Sequence, residues 1–188
     1  MKKIEIKDLV ILALLLGLNV VLSRFLSINA WNIKIGFTFV TVYVAAYFYG
    51  PIGGALVGGL GDLIGALLFP IGAYFPGFTL TATLTGIVFG LVVGKKDDIK
   101  SFVVATLINE LLLSLLLNTY WIHVLYKADF KALLLTRSIQ CVVMMVVEVI
   151  VLKILSKVMP QFERRFRQKW ITKKWWNILH IQIGKVLL

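Results

Sequence analysis

Long apolar runs follow one another along most of the chain, and they limit the possible folds more than any other feature. The runs cover residues 8–23, 35–49, 51–68, 74–94, 101–122 and 133–157. A helix of about 20 apolar residues can cross the hydrocarbon core of a bilayer. Because 60% of the 188 residues are hydrophobic and only 15% are charged, a water-soluble fold could not cover this apolar surface. We therefore predict an all-α membrane protein, a compact bundle of six transmembrane helices.

Basic residues concentrate in the segments that six successive helices would place on one side of the membrane. Most of the 20 lysines and arginines lie before the first run, between the fourth and fifth runs, and after residue 152. The positive-inside rule then places both termini in the cytoplasm. The net charge of +11 calls for no nucleic-acid partner, because the anionic inner leaflet of the lipid bilayer is a sufficient one.

The chain changes character after Pro160, where basic and aromatic residues replace the continuous apolar pattern. Such a composition is typical of a helix that lies at the membrane surface. We therefore predict two parts: a six-helix transmembrane domain over residues 1–160, and a basic, aromatic extension over residues 161–188. The extension would lie in the cytoplasm or at the membrane interface.

Sequence motifs for enzymatic chemistry are missing. The nearest approach to a phosphate-binding loop, residues 90–96, has three residues instead of four between its glycines and no Ser or Thr after the lysine. The histidines His123 and His180 are far apart, and a single cysteine, Cys141, cannot build a zinc site with them. The sequence therefore predicts no enzyme, no bound metal and no cofactor.

A few polar residues interrupt the apolar runs, and inside a membrane such groups are functional candidates by default. The ionisable ones are Asp62, Glu110, Arg137 and Glu148. The structural alternative is that Arg137 pairs with a carboxylate and only joins two helices. Asn118, Thr119 and Gln140 add uncharged polar groups to the same spans.

Cationic and aromatic residues gather at the predicted outer end of the bundle. The cations are Arg24, Lys34 and Arg137, and the aromatic candidates are Phe37, Tyr74, Phe75, Phe78 and Trp121. Stacking and charge-assisted hydrogen bonds from such a set suit a flat, anionic small molecule that carries rings. The alternative for the aromatic residues is the interfacial belt that membrane proteins share.

Several of these segments carry a family resemblance. They are residues 24–28, residues 34–39, Gly50-Pro51, the glycine-rich residues 58–65, residues 117–121 and Arg137. Together they resemble the S components of energy-coupling factor (ECF) transporters over about residues 5–160. The run Tyr74-Phe75-Pro76-Gly77-Phe78-Thr79-Leu80-Thr81-Ala82 is most similar to the folate-specific branch.

The resemblance implies a multi-pass subunit of the bacterial cell membrane that binds a vitamin, here folate, and is not itself an enzyme. It also implies three partners: a transmembrane coupling protein, the T component, and two cytoplasmic ATPases. The missing phosphate-binding loop agrees with ATPases supplied by other chains. Ala13 and Gly17 match the family's coupling motif of small residues four apart, with glycine in place of the second alanine.

The resemblance also suggests roles for the candidate residues. Arg24, Lys34 and Arg137 would bind the glutamate carboxylates of folate or organise the pocket. The five aromatic candidates would stack on the pterin and benzoate rings. Asn118, Thr119, Gln140, Asp62 or Glu110 would read the pterin's hydrogen-bonding groups.

Three alternatives remain open at this point. Within the same family, the chain could bind another water-soluble vitamin such as pantothenate. From other classes of function, it could be a proton-coupled secondary transporter that uses Glu110 or Glu148, or a membrane scaffold, which predicts no tight binding of a small molecule.

Overall fold

The computed structural model describes the backbone of residues 6–29, 34–96 and 98–186, and the side chains of residues 6–28, 34–96 and 98–164. The helices are α1 (Ile6–Arg24), α2 (Thr38–Leu68), α3 (Pro76–Val88), α4 (Ile99–Leu107), α5 (Thr119–Tyr126) and α6 (Phe130–Val186). π-Helical turns at Phe89–Val93 extend α3, and a π-helix at Ile108–Asn118 joins α4 to α5. A two-residue antiparallel ladder pairs β1 (Ile28–Asn29) with β2 (Lys34–Ile35).

Among the residues that the structure describes, five helical segments are long and apolar enough to cross a membrane: Ile6–Arg24, Thr38–Leu68, Pro76–Val93, Ile99–Tyr126 and Phe130–Arg164. They account for all six predicted runs, because the second and third runs both fall in α2. The prediction of an all-α membrane protein is therefore confirmed, apart from the short β1–β2 hairpin.

The chain forms two compact units, Met1–Lys153 and Ile154–Leu188. The predicted extension, residues 161–188, falls inside the second unit. Its side chains after Arg164 lie outside the described residues, as do the first five residues of the chain with Lys2 and Lys3. The division at residue 160 and the cytoplasmic location of the termini stay predictions.

Helix α2 is broken at Gly50, where the sequence Gly-Pro predicts a boundary between two helices. Gly50 has φ 70° and ψ −163°, a conformation that is open almost only to glycine. A Cβ on Gly54 would lie 3.0 Å from the Ala46 Cβ, and one on Gly58 would lie 3.6 Å from Val42 Cγ2. In each of these two pairs, the two residues are equally far from Gly50 in the sequence. Val42 and Gly58 are 16 residues apart, and in a straight helix they would lie about 24 Å from each other. The first arm of α2 (residues 38–49) therefore folds back against the second arm (residues 51–68).

Glycines in the second arm allow α3 to approach it at backbone distance. A Cβ on Gly54 would lie 2.6 Å from the carbonyl oxygen of Gly86 in α3, and a Cβ on Gly58 would collide with the carbonyl of Ala82. Small residues let membrane helices pack closely in this way. These contacts set α3 directly beside the second arm.

We expect Gly54→Val to destabilise the protein, because the new side chain would overlap Gly86 and Ala46. Overpacking of this kind costs about 1–3 kcal/mol, so the melting temperature in detergent should fall by several degrees. Gly17→Val is the matched control, since a Cβ at Gly17 meets nothing within 4 Å. Equal melting temperatures for the two variants would contradict the close α2–α3 contact.

Candidate functional site

A cavity of about 590 Å³ lies among α1, α2, α3, the α4–α5 segment and the first part of α6. This volume is within the range of small-molecule binding sites. Most of the residues predicted for the site line it: Arg24, Lys34, Asp62, Tyr74, Phe75, Phe78, Asn118, Arg137 and Gln140. The fold thus brings together residues that are more than 100 positions apart in the sequence.

Arg24 and Asp62 form an ion pair in the cavity wall. Nη2 of Arg24 lies 3.8 Å from Oδ1 of Asp62 and 3.4 Å from the Asp62 carbonyl oxygen. The guanidinium fits against Gly65, where a Cβ would lie 2.7 Å from Arg24 Nε. Asp62 also accepts a hydrogen bond of 2.9 Å from the Thr79 hydroxyl. This carboxylate is therefore already held by protein groups.

Lys34 lies beside this pair on strand β2. Its Nζ donates a hydrogen bond of 2.8 Å to the Ser23 hydroxyl. Burial and, to a lesser extent, the neighbouring Arg24 cation lower the pKa of Lys34 to about 8, while Asp62 acts in the opposite direction. An anion bound in the cavity would favour the protonated form of Lys34. The region of Arg24 and Lys34 is consequently suited to a carboxylate ligand.

Gln140 links α6 to the β1–β2 hairpin. Its Nε2 donates a hydrogen bond of 2.6 Å to the carbonyl oxygen of Lys34. Within the described residues its Oε1 has no hydrogen-bond partner, although the atom is buried. Gln140 therefore positions Lys34 and keeps an acceptor available for a ligand.

Arg137 lies in another part of the same wall and is 5% exposed. Its Nη2 donates a hydrogen bond of 3.1 Å to the carbonyl oxygen of Ser114 in the π-helix. Glu110 is close enough to interact electrostatically with the guanidinium. Both roles suggested by the sequence, joining helices and facing a ligand, are compatible with this position.

Aromatic side chains line the side of the cavity formed by the 69–75 loop and the start of α3. The rings of Phe75 and Phe78 have centroids 6.1 Å apart and meet edge to face. The Tyr74 hydroxyl lies 3.5 Å from that of Thr79. This wall offers apolar ring surface for a planar ligand.

Three predicted site residues do not line the cavity. Phe37 is 45% exposed and contacts the ring of Phe39, which does line it. Trp121 lies behind the wall, where its Nε1 donates a hydrogen bond of 3.2 Å to the Thr81 hydroxyl. The centroid of its ring lies 5.5 Å from the centroid of the Phe75 ring. Thr119 is fully buried. Their predicted contacts with substrate stay predictions.

Several lining residues were not predicted from the sequence: Asn19, Ser23, Thr81, Asn109 and Ser114. Asn19 reaches from α1 to the first arm of α2, and its Nδ2 donates to the Thr41 hydroxyl at 2.8 Å. Asn109 directly precedes Glu110 inside an apolar run. The sequence thus contained one signal for Asn109, since polar residues are rare at membrane depth.

Ala13 and Gly17 lie on the exposed surface of α1. A side chain added at Gly17 would point into open space. The α1 residues that line the cavity are Asn19, Ser23 and Arg24, all nearer the other end of the helix. The predicted coupling motif is therefore separate from the cavity.

Known proteins resemble this chain over most of its length. The family model for the ECF transporter, substrate-specific component, matches residues 7–156. The folate transporter FolT of Clostridium novyi (strain NT) is 35% identical over 153 residues, which cover 81% of this chain and 88% of that protein. FolT of Leuconostoc mesenteroides is 31% identical over 154 residues, covering 78% of this chain and 83% of that protein.

A solved structure also shares the fold. The crystal structure of FolT bound with folic acid superimposes with a TM-score of 0.78 and 30% sequence identity. The match covers 82% of this chain and 98% of that one. The family is one of transporter subunits, not of enzymes, and its multi-pass architecture fits a bacterial cell membrane. The chain belongs to the substrate-specific components, or S components, of ECF transporters.

Proposed function

We propose that this chain is the folate-binding S component of an ECF transporter. The observation that carries the proposal is the cavity of about 590 Å³, which combines the cations Arg24, Lys34 and Arg137 with an aromatic wall. Folate has two carboxylates at one end and a flat pterin ring at the other. Cations and ring surfaces in one cavity suit such a molecule, and relatives of this chain are named folate transporters.

Folate would enter with its carboxylates toward the region of Arg24 and Lys34. Arg24 keeps a buried Nε without a hydrogen-bond partner among the described residues, and the ammonium of Lys34 lies beside it. The rings of Tyr74, Phe75 and Phe78 would cover the planar part of the ligand. Charged and apolar contacts would then share the binding free energy.

Transport requires partners, which the family supplies as a T component and two cytoplasmic ATPases. The apolar, exposed surface of α1 around Ala13 and Gly17 would bind the T component, because small residues permit close helix packing. The chain would itself carry out no chemistry on folate or ATP. It would capture the vitamin outside the cell and release it inside when the assembled complex hydrolyses ATP.

Six membrane crossings suit this role, with the two arms of α2 counted separately. An even number of crossings leaves both termini on one side, and the concentration of basic residues favours the cytoplasm for that side. Residues 1–160 would then form the substrate-binding domain, and residues 161–188 a basic extension toward the inner leaflet.

Titration of the purified protein with a panel of vitamins tests the proposal. We expect folate to bind with a Kd at least about a hundredfold below that of pantothenate or thiamine, a difference of roughly 2.7 kcal/mol. Vesicles that contain this chain alone should show no folate uptake driven by a pH gradient. Tight binding of pantothenate with none of folate, or proton-driven uptake by the isolated chain, would overturn the assignment.

A further inference from the structure

The extension that begins at residue 161 lies outside residues 7–156, which the family model matches. Its backbone is helical as far as Val186. Between residues 161 and 188 the sequence has seven basic residues and one acidic residue, Glu163. Three of the five tryptophans of the chain also lie here: Trp170, Trp175 and Trp176. The cavity and its ligand do not account for this combination of charge and aromatic residues.

The last described side chains of α6 show where its exposed apolar surface changes. Ile154, Val158 and Phe162 follow one another at intervals of four residues and are 58%, 44% and 52% exposed. Positions four apart are neighbours on one face of a helix. This face changes from aliphatic to aromatic at Phe162, and Arg164, two residues later, is exposed. Because aromatic and basic residues are typical of the membrane–water interface, we infer that the headgroup region begins near Phe162.

The length of the last membrane span agrees with this position. The span Phe130–Arg164 has 35 residues, and a straight helix of that length extends about 52 Å, against a hydrocarbon core of about 30 Å. In the sequence, Phe166 and Trp170 continue the interval of four residues beyond Phe162. The extension therefore starts at the level of the headgroups, and none of it is needed to cross the core.

The sequence of residues 171–186 has the pattern of an amphipathic helix. On a helical projection, large apolar residues fall within one arc of about 160°: Ile171, Trp175, Trp176, Ile178, Leu179, Ile183 and Val186. The opposite arc is polar and basic, with Lys173, Lys174, Asn177, His180 and Lys185. Thr172, Ile181 and Gln182 depart from the pattern. A helix with one basic face and one apolar, aromatic face is typical of segments that lie in the plane of a membrane surface.

Anionic phospholipid is the partner that matches both faces of this segment. Headgroup phosphates attract lysine and arginine, and the boundary between headgroups and acyl chains accepts tryptophan and aliphatic residues. An acidic protein surface would match the charges, but clustered tryptophans are typical of the bilayer interface. The cytoplasmic leaflet is the anionic one, and it is the leaflet on the side proposed for the C-terminus.

We propose that residues 161–186 bind anionic phospholipid at the cytoplasmic surface of the membrane, as an attachment separate from the six crossings. This inference goes beyond the folate function and rests only on the cytoplasmic location proposed for the C-terminus. The basic residues pair with headgroup phosphates, and the apolar arc of residues 171–186 enters the acyl boundary. Because salt screens exposed charges, the attachment weakens as ionic strength rises or as the anionic lipid content falls.

A fluorescent label on the full chain tests the proposal in nanodiscs that carry a quencher on the lipid. Leu179→Cys places a thiol in the apolar arc, and Asn177→Cys places one in the polar arc. The native Cys141 is buried, so the label selects the introduced thiol. In nanodiscs of phosphatidylcholine and phosphatidylglycerol, we expect quenching at residue 179 to exceed that at residue 177 by about threefold or more. In phosphatidylcholine alone, or at high salt, quenching at residue 179 should fall by about threefold or more.

Removal of two charges gives a second measurement. Lys173→Gln combined with Lys174→Gln should lower quenching at residue 179 by about threefold or more in the anionic nanodiscs, because each basic residue near an anionic surface adds to the attraction. The matched control is Lys127→Gln combined with Lys131→Gln, since both lysines are exposed and lie on the opposite side of the predicted topology. The control pair should leave quenching unchanged.

Each remaining outcome decides the question. Equal quenching in anionic and neutral nanodiscs overturns the role of anionic lipid, and equal quenching at residues 177 and 179 overturns the amphipathic arrangement. A label that lipid never quenches, but that the T component and the ATPases shield, assigns the extension to a protein partner and overturns the proposal. Normal folate binding with an unquenched label overturns the lipid proposal alone. A quenched label in a chain that binds no folate supports the lipid proposal and overturns the folate function.

Discussion

Bulky side chains at Ala13 and Gly17 are expected to reduce folate uptake by the assembled transporter by about tenfold or more, the equivalent of roughly 1.4 kcal/mol of lost coupling. Both positions are exposed on α1, and a Cβ at Gly17 meets no atom within 4 Å. The double variant Ala13→Leu, Gly17→Leu should therefore fold normally and bind folate within about twofold of wild type. Uptake in cells that contain the T component and the ATPases, compared with folate binding by the purified chain, checks this expectation.

Leu18→Trp provides the control for this experiment. Leu18 is 47% exposed on the same helix, but it points about 100° away from Gly17. Added bulk at Leu18 should leave uptake largely intact if the surface of Ala13 and Gly17 is the one that binds the T component. A parallel loss of folate binding and uptake in the double variant would instead indicate a folding defect and remove the support for a coupling surface.

Arg137→Ala should weaken folate binding by about ten- to a hundredfold. The guanidinium is buried in the cavity wall, and one lost charge-assisted contact is worth roughly 1.5–3 kcal/mol. Arg137→Lys should recover part of the affinity only, because an ammonium cannot reproduce the fork of donors in a guanidinium. Folate titration of the two variants, together with the melting temperature of the unliganded proteins, measures both effects.

Lys131→Ala is a suitable comparison, since Lys131 is an exposed basic residue on the same helix and does not line the cavity. It should leave both affinity and stability unchanged. If Arg137 only joins α6 to the π-helix through Ser114, Arg137→Ala will lower the melting temperature while folate affinity stays the same. Unchanged affinity in a folded Arg137→Ala protein rules out the binding role.

Much of the fold was predictable because a membrane permits few structures. Apolar runs of this length can satisfy their backbone groups only as helices, and the five long helices follow those runs. The break at Gly50 was also predictable, since Gly-Pro ends one helix and begins another. The fold-back of the two arms needed the structure, because contacts between Val42 and Gly58 depend on packing that local sequence does not specify.

The π-helix at Ile108–Asn118 could not be predicted from the sequence. The residues Leu111 to Leu117 are as compatible with α-helical as with π-helical hydrogen bonds, so neighbouring elements decide between the two. The choice matters for the site, because it sets which side chains of this segment face the cavity. Glu110, Ser114 and Asn118 line it.

Many of the residues that line the cavity were predictable from the sequence, but their partners were not. Arg24 and Asp62 lie 38 positions apart, and nothing in either local sequence indicates that they pair. The same holds for Gln140 and Lys34, which are 106 positions apart. Polar residues in apolar runs can be identified one by one, whereas the distinction between a wall residue such as Phe75 and a supporting residue such as Trp121 depends on the packed structure.

The two arms of α2 differ in length, and this difference has a consequence for the surrounding lipid. At 1.5 Å per residue the first arm extends about 18 Å and the second about 27 Å, against a hydrocarbon core of about 30 Å. Tyr47 lies near the C-terminal end of the first arm, and Lys95 Nζ lies 5.3 Å from the centroid of its ring. From this position the long side chain of Lys95 can reach toward the lipid headgroups. Mismatch between helix and bilayer costs fractions of a kcal/mol per Å. The thickness of the host membrane therefore enters the free energy of this protein through the short first arm of α2.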